Sequence, residues 1–206
     1  MDLLLDAAEA RTLGSLMEKE IATPAYYPLS LNALVNACNQ KSNREPVVDY
    51  DEETVENALA SLRAKGLALR SSGADSRVPK HSQRFTEKYN LGRREAAVMC
   101  ELLVRGPQTV GELRNRAERL YDFDGLEAVE DTLNRLAAIE FVKQLPRQAG
   151  FKEPRWSHLL CGEPEVAEAA PPAADRSPSD RERIAALEAA LEELRREFEE
   201  FRKKFE

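Results

Sequence analysis

The sequence of 206 residues predicts a mainly α fold with small β-hairpins, an α+β class, and three observations carry that expectation. The first is a repeat. Val55-Glu56-x-x-Leu59-x-x-Leu62-x-x-x-x-Leu67 returns 74 residues later as Val129-Glu130-x-x-Leu133-x-x-Leu136-x-x-x-x-Phe141. The second is a change of period. After each copy the apolar spacing drops from near 3.6 to near 2, in Leu67-Ala68-Leu69 and in Phe141 to Leu145, as a helix gives way to a strand. The third is a separate 3,4-spaced apolar series at the C-terminal end, Ile184 to Phe205.

Each unit can be followed in chain order. A long helix comes first, with Leu13, Leu16 and Met17 in one copy and Met99, Leu102 and Leu103 in the other. A short helix follows, keeping its apolar spacing in Leu31 and Leu34 and again in Val110 and Leu113. The third helix is the repeated signature itself. A strand, a turn-prone stretch (Ser71 to Pro79, or Pro146 to Pro154) and a second strand close the unit. Asp6 with Glu9, Thr109 with Glu112, and Asp124 with Glu127 have capping-box spacing, in which a side chain accepts from a first-turn N–H that has no helical partner. Helix, helix, helix, strand, loop, strand in roughly 75 to 90 residues is the layout of a winged helix-turn-helix. It is written here twice, over residues 1–90 and 91–161. A solenoid fragment would need three or more copies and would lack a strand pair in each.

Beyond the repeats, residues 162–179 are rich in Ala, Pro and Glu and cannot bury enough apolar surface to offset ordering, so an extended, disordered linker is expected. Residues 180–206 read as an amphipathic helix. With Ile184 at heptad position a, Leu191 and Phe198 are also a, and Leu187, Leu194 and Phe201 are d, a seam suited to a homodimeric coiled coil. In a parallel pair Glu197 would face Arg202 of the other strand. The alternative is a helix folded back on its own chain, since three heptads are near the minimum for a coiled coil.

Composition narrows the function. Cys38, Cys100 and Cys161 are odd in number and lack C-x-x-C spacing, as expected of reduced core thiols in a cytoplasmic protein. No apolar run is long enough to span a membrane, and the N-terminus lacks the basic start of a secretory signal. Net charge is −7, but the tail carries most of it. Residues 1–90 hold 11 basic against 13 acidic side chains, residues 91–162 hold 11 against 11, and residues 163–206 hold 8 against 13. The near-neutral body can therefore still present a basic face.

The residue inventory points away from catalysis, metals and cofactors. His81 and His158 have no ligand-spaced neighbours and are expected on strand surfaces, and no Walker, dinucleotide or G-x-S-x-G pattern occurs. The third helices are poor DNA readers. Their outward faces are Glu53, Asn57, Ala60, Ser61 and Ala64 in one copy and Glu127, Asp131, Asn134, Arg135 and Ala138 in the other, and such faces are repelled by phosphate.

Two other places suit double-stranded DNA better. If the second helix runs from Leu31 into the 40s, Asn32, Asn36, Asn39 and Asn43 form one polar stripe beside Gln40, Lys41 and Arg44, amides for base edges and cations for phosphate. Asparagines that cap the helix and shape the turn before Pro46 are the plainer explanation. The first wing adds Arg70, Arg77, Lys80, His81 and Arg84, although exposed hairpins carry charge simply to stay soluble. Arg114, Arg116 and Arg119, mixed with glutamates, read as a solvated face. Tyr26, Tyr27 and Tyr50 read as lids on the core, and Trp156 as core.

The most distinctive text is PLSLNALVNACNQKSNREPV, from Pro28 to Val47, followed by GADSRVPKHSQRF (Gly73 to Phe85) and LVRGPQTVGELRNRA (Leu103 to Ala117). Over residues 1–162 the chain resembles the YceH-like family of bacterial conserved hypothetical proteins. The resemblance implies tandem winged helices and a cytoplasmic bacterial origin, and it implies no activity. Two roles follow as expectations: a DNA-binding protein, with transcriptional regulation as its use, or a protein-interaction adaptor whose paired units hold a partner peptide.

Overall fold

A computed structural model describes residues 3–72, 78–147 and 153–163. The linker and the heptad helix from Ile184 onward lie outside the described residues, as does Arg77 in the first hairpin. Among the described residues the chain is mainly helical, with two small antiparallel sheets.

The element order repeats as the periodicity predicts. The first half runs α1 (Ala7–Ala22), α2 (Leu31–Cys38), α3 (Glu52–Ala64), β1 (Ala68–Ser71) and β2 (Lys80–Gln83). A short helix absent from the sequence reading, α4 (Phe85–Lys88), leads to α5 (Arg93–Arg105), α6 (Val110–Ala117), α7 (Leu126–Ala138), β3 (Val142–Gln144) and β4 (Trp156–His158). Each hairpin gains a further backbone bridge from the segment before its second helix, Leu29 to His81 in one copy and Gln108 to Trp156 in the other.

Caps agree with the text at α1 and α6, where Asp6–Glu9 and Thr109–Glu112 form full capping boxes, and Ser30 and Asp51 cap α2 and α3. Asp124 does not cap α7. The cap position falls at Gly125, because Phe123 takes a buried site and leaves Asp124 outward.

One contiguous core runs through both halves, from Leu13, Leu16 and Met17 to Met99, Leu102, Leu133 and Phe141. Its axis is the pairing of α1 with α5, each buried over ten consecutive residues. Gly14 makes the close approach possible. A Cβ there would lie 2.8 Å from Val104 Cγ1 and 2.9 Å from Leu103 Cβ, and the Cys100 thiol reaches the Gly14 carbonyl at 3.5 Å. Phe85, Tyr89 and Phe141 stack as a second seam, with ring centroids 4.9 to 5.3 Å apart.

Candidate functional site

The polar stripe does not form. α2 ends at Cys38 with Asn39 as its C-cap, and Asn43 takes a left-handed conformation at φ 59°. The polar residues that follow the helix are spent on bonds inside the protein. The Asn39 amide donates to the Tyr50 carbonyl at 2.7 Å and accepts from the Tyr50 N–H at 2.9 Å. Arg44 folds back beneath the helix end and donates to the Ala37 carbonyl. Asn36 is exposed and donates to Asn32 of its own helix, while Gln40 is half-buried and Lys41 exposed.

Arg44 must therefore be withdrawn from the proposed nucleic-acid surface. Its side chain is fully buried and grips both oxygens of Glu18, itself fully buried. Glu18 also accepts from Arg119 of the second repeat, and Arg119 continues to Glu101 at 3.1 Å. Glu101 pairs with Arg105 at 2.9 Å, and Arg105 donates to the side-chain oxygen of Asn43. Burial alone would raise the pKa of Glu18. Hydrogen bonds from Arg44 and the charges of Arg44, Arg119 and Lys19 outweigh it and bring that pKa down to about 2. Arg119 is exposed, as a solvated face requires, yet its guanidinium also reaches inward to two buried carboxylates. It lies in the turn after α6, and only the packing of the repeats brings Glu18 and Glu101 to it.

On the first hairpin Arg70 is exposed and Lys80 half-buried, and the two are one register position apart across the strand pair. Arg84 is held by Glu87 at 2.7 Å. His81 corrects a surface expectation. β2 turns His81 and Gln83 inward, and burial, followed by the charges of Arg63 and Arg70, lowers the His81 pKa. His158 is likewise enclosed, and burial lowers its pKa to about 4.

The outward faces of α3 and α7 are exposed as expected, and Arg135 on α7 pairs with Glu95 at 3.1 Å. Trp156 is core. Tyr27 is half-buried with its hydroxyl accepting from the Gln83 N–H, and Tyr50 is half-buried, but Tyr26 is 79% exposed and covers nothing. Cys38 and Cys100 are buried thiols, whereas Cys161 is exposed.

Two concavities join the halves. A groove of about 530 Å³ runs between the C-terminal end of α1 and the start of α5, walled by Met17, Ile21, Leu91, Ala96, Leu120 and Tyr121, with Glu20 and Arg93 also lining it. It had no sequence signal, because its walls come from three separated segments. A smaller pocket of about 280 Å³ lies at the other ends of these helices. Among the described residues no cluster of three His, Cys, Asp or Glu could hold a metal, and no helix is long and apolar enough to cross a membrane.

Residues 5–151 match the family described as a protein of unknown function, DUF480. The chain is similar to a UPF0502 protein of Solibacter usitatus, 72% identical over 189 residues that cover 91% of each. It is also similar to UPF0502 proteins of Opitutus terrae, 51% identical over 191 residues (89% of this chain, 83% of the relative), and of Citrifermentans bemidjiense, 52% identical over 191 residues (91% and 88%).

Proposed function

This chain belongs to the DUF480 family, and from that membership and its geometry we propose a tandem winged-helix adaptor that holds a protein partner and carries out no chemistry of its own. In this reading α3 and α7 are the third helices, and the hairpins β1–β2 and β3–β4 are the wings. The observation that carries it is where the polar groups around α2 and α3 are spent. Arg44, Asn39 and Asn43 are engaged inside the protein, and the outward face of α3 offers no lysine or arginine. A phosphate-lined groove has little to attract it there. The apolar groove at the start of α5 supplies the alternative, with a volume inside the usual range for binding sites and a charged residue of each sign to orient what enters.

A second reading, contact with double-stranded DNA by the first wing, is favoured by Arg70 and Lys41, which are exposed, and by half-buried Lys80, and Arg84 would join them by exchanging Glu87 for phosphate. From the heptads we also propose a homodimer through Ile184, Leu187, Leu191, Leu194, Phe198 and Phe201, and a cytoplasmic location, in line with the thiol inventory. Binding to random duplex DNA at low and moderate salt separates the two readings. The adaptor predicts no measurable binding at low salt, together with loss of co-purifying protein when Leu120→Glu and Tyr121→Ala alter the groove. Tight binding that falls steeply with salt, weakened by Arg70→Ala with Lys80→Ala, would replace it with the DNA reading.

A further inference from the structure

Arg11 is a permanent cation only 4% exposed, and its bonding is unlike that of Arg44, the other buried arginine among the described residues. Nη1 donates to the Cys38 carbonyl at 3.1 Å and Nη2 to the Pro46 carbonyl at 2.7 Å, while Nε has no partner. Arg44 has Glu18 as its counter-charge, and among the described residues no carboxylate comes within ion-pair distance of Arg11. A buried charge without a counter-charge is costly, and folds ordinarily supply one.

Arg11 lies in the wall of the smaller pocket, of about 280 Å³, between the first turns of α1 and the segment after α5. The rest of the lining is largely apolar, including Val48, Tyr50, Leu103 and Pro107. His158, whose Nδ1 is also without a partner, lines the pocket too. The Nε of Arg11 is covered from bulk water, so its charge acts on the pocket through protein rather than through solvent, where the attraction for an anion is several-fold stronger. Glu45 is the one acidic side chain in the lining, and it is exposed at the rim.

We propose that this pocket binds a small organic monocarboxylate, its anionic end toward Arg11 and His158 and its apolar body against Val48, Leu103 and Pro107. The chemistry follows from what is left over. Backbone carbonyls take two of the five guanidinium N–H bonds and a third, on Nε, is covered, so few donors are left in an otherwise largely apolar lining; that serves the two oxygens of a carboxylate better than the several oxygens of a phosphate. The volume lies just below that of drug-sized sites, which limits the ligand to a single ring or a short chain. Walls come from both repeats, so occupancy would tie them together. The site shares no residue with the groove assigned to a partner, and its test is separate.

The test is a titration of the full-length ¹⁵N-labelled protein with benzoate and with its neutral isostere benzamide, at constant ionic strength. Benzoate should give saturable shifts at Ala10, Val48, Gly106 and Gly162, with affinity at least about tenfold tighter than benzamide. Arg11→Gln should erase that preference. Because Arg11 also ties down two carbonyls and its loss could unfold the chain, Val48→Trp is the second variant; it fills the pocket from a half-buried position and should abolish the shifts. Absence of saturable shifts up to about 10 mM benzoate, equal affinity for benzamide, or binding that survives Val48→Trp would each overturn the proposal.

Discussion

Replacing Glu18 by Gln keeps the shape of the buried hub and removes its charge. Glu18 is fully buried, and its pKa is drawn from 4.5 to about 2, chiefly by Arg44 against the opposing effect of burial. That depression corresponds to about 3 kcal/mol of folding stability at neutral pH. Deleting one partner of a buried pair costs about 3–5 kcal/mol, and here the guanidinium of Arg44 would be left without a counter-charge. We therefore expect Glu18→Gln to lose about 3 kcal/mol or more at pH 7, a large part of the stability of an ordinary domain.

The sign of the pH dependence follows from the lowered folded-state pKa. The contribution is complete above the unfolded value of 4.5 and fades as pH falls through about 2, so the gap between wild type and variant should close over that window. Urea unfolding monitored by the fluorescence of Trp156, the single tryptophan, measures it at each pH. A gap below about 1 kcal/mol at pH 7, or one that stays constant between pH 5 and 2, would refute the assignment of Glu18 as the hub of the network.

Two further substitutions probe the joint and the turn. Gly14→Ala gains about 1 kcal/mol of helix propensity, but its Cβ meets Leu103 and Val104 below 3 Å, and overpacking of about 1–3 kcal/mol should win, lowering Tm; an unchanged or raised Tm in calorimetry would show that α1 and α5 can part without cost. Asn39→Ala should cost about 1–3 kcal/mol by orphaning both backbone groups of Tyr50, whereas Lys41→Ala should stay within about 0.5 kcal/mol, and equal effects in urea unfolding would mean that Asn39 is not the structural residue of the pair.

Much of the local structure was legible. The Asp6–Glu9 and Thr109–Glu112 boxes and the buried faces of α3 and α7 follow from spacing, because each depends on residues within two turns of one another. The misreadings share a cause. Arg44 looks like a surface cation because the carboxylate that holds it, Glu18, lies 26 residues away, and the ion pairs of exposed Arg119 stay hidden because Glu18 and Glu101 lie 101 and 18 residues from it. Asn39 and Asn43 looked like a helical stripe because nothing nearby shows that Tyr50 and Arg105 would claim their amides. His81 and His158 looked exposed because the segments that cover them come from elsewhere in the chain.

The text of this protein by itself determined a duplicated helical unit ending in a hairpin, and it did so because helix and strand periods and first-turn caps are short-range matters. Which polar groups remain available to a partner was decided only by tertiary packing. Once α1 lies against α5 at Gly14, the surface of each repeat becomes partly the interior of the pair, and charges that one repeat would leave in water must find counter-charges in the other or, as with Arg11 among the described residues, go without.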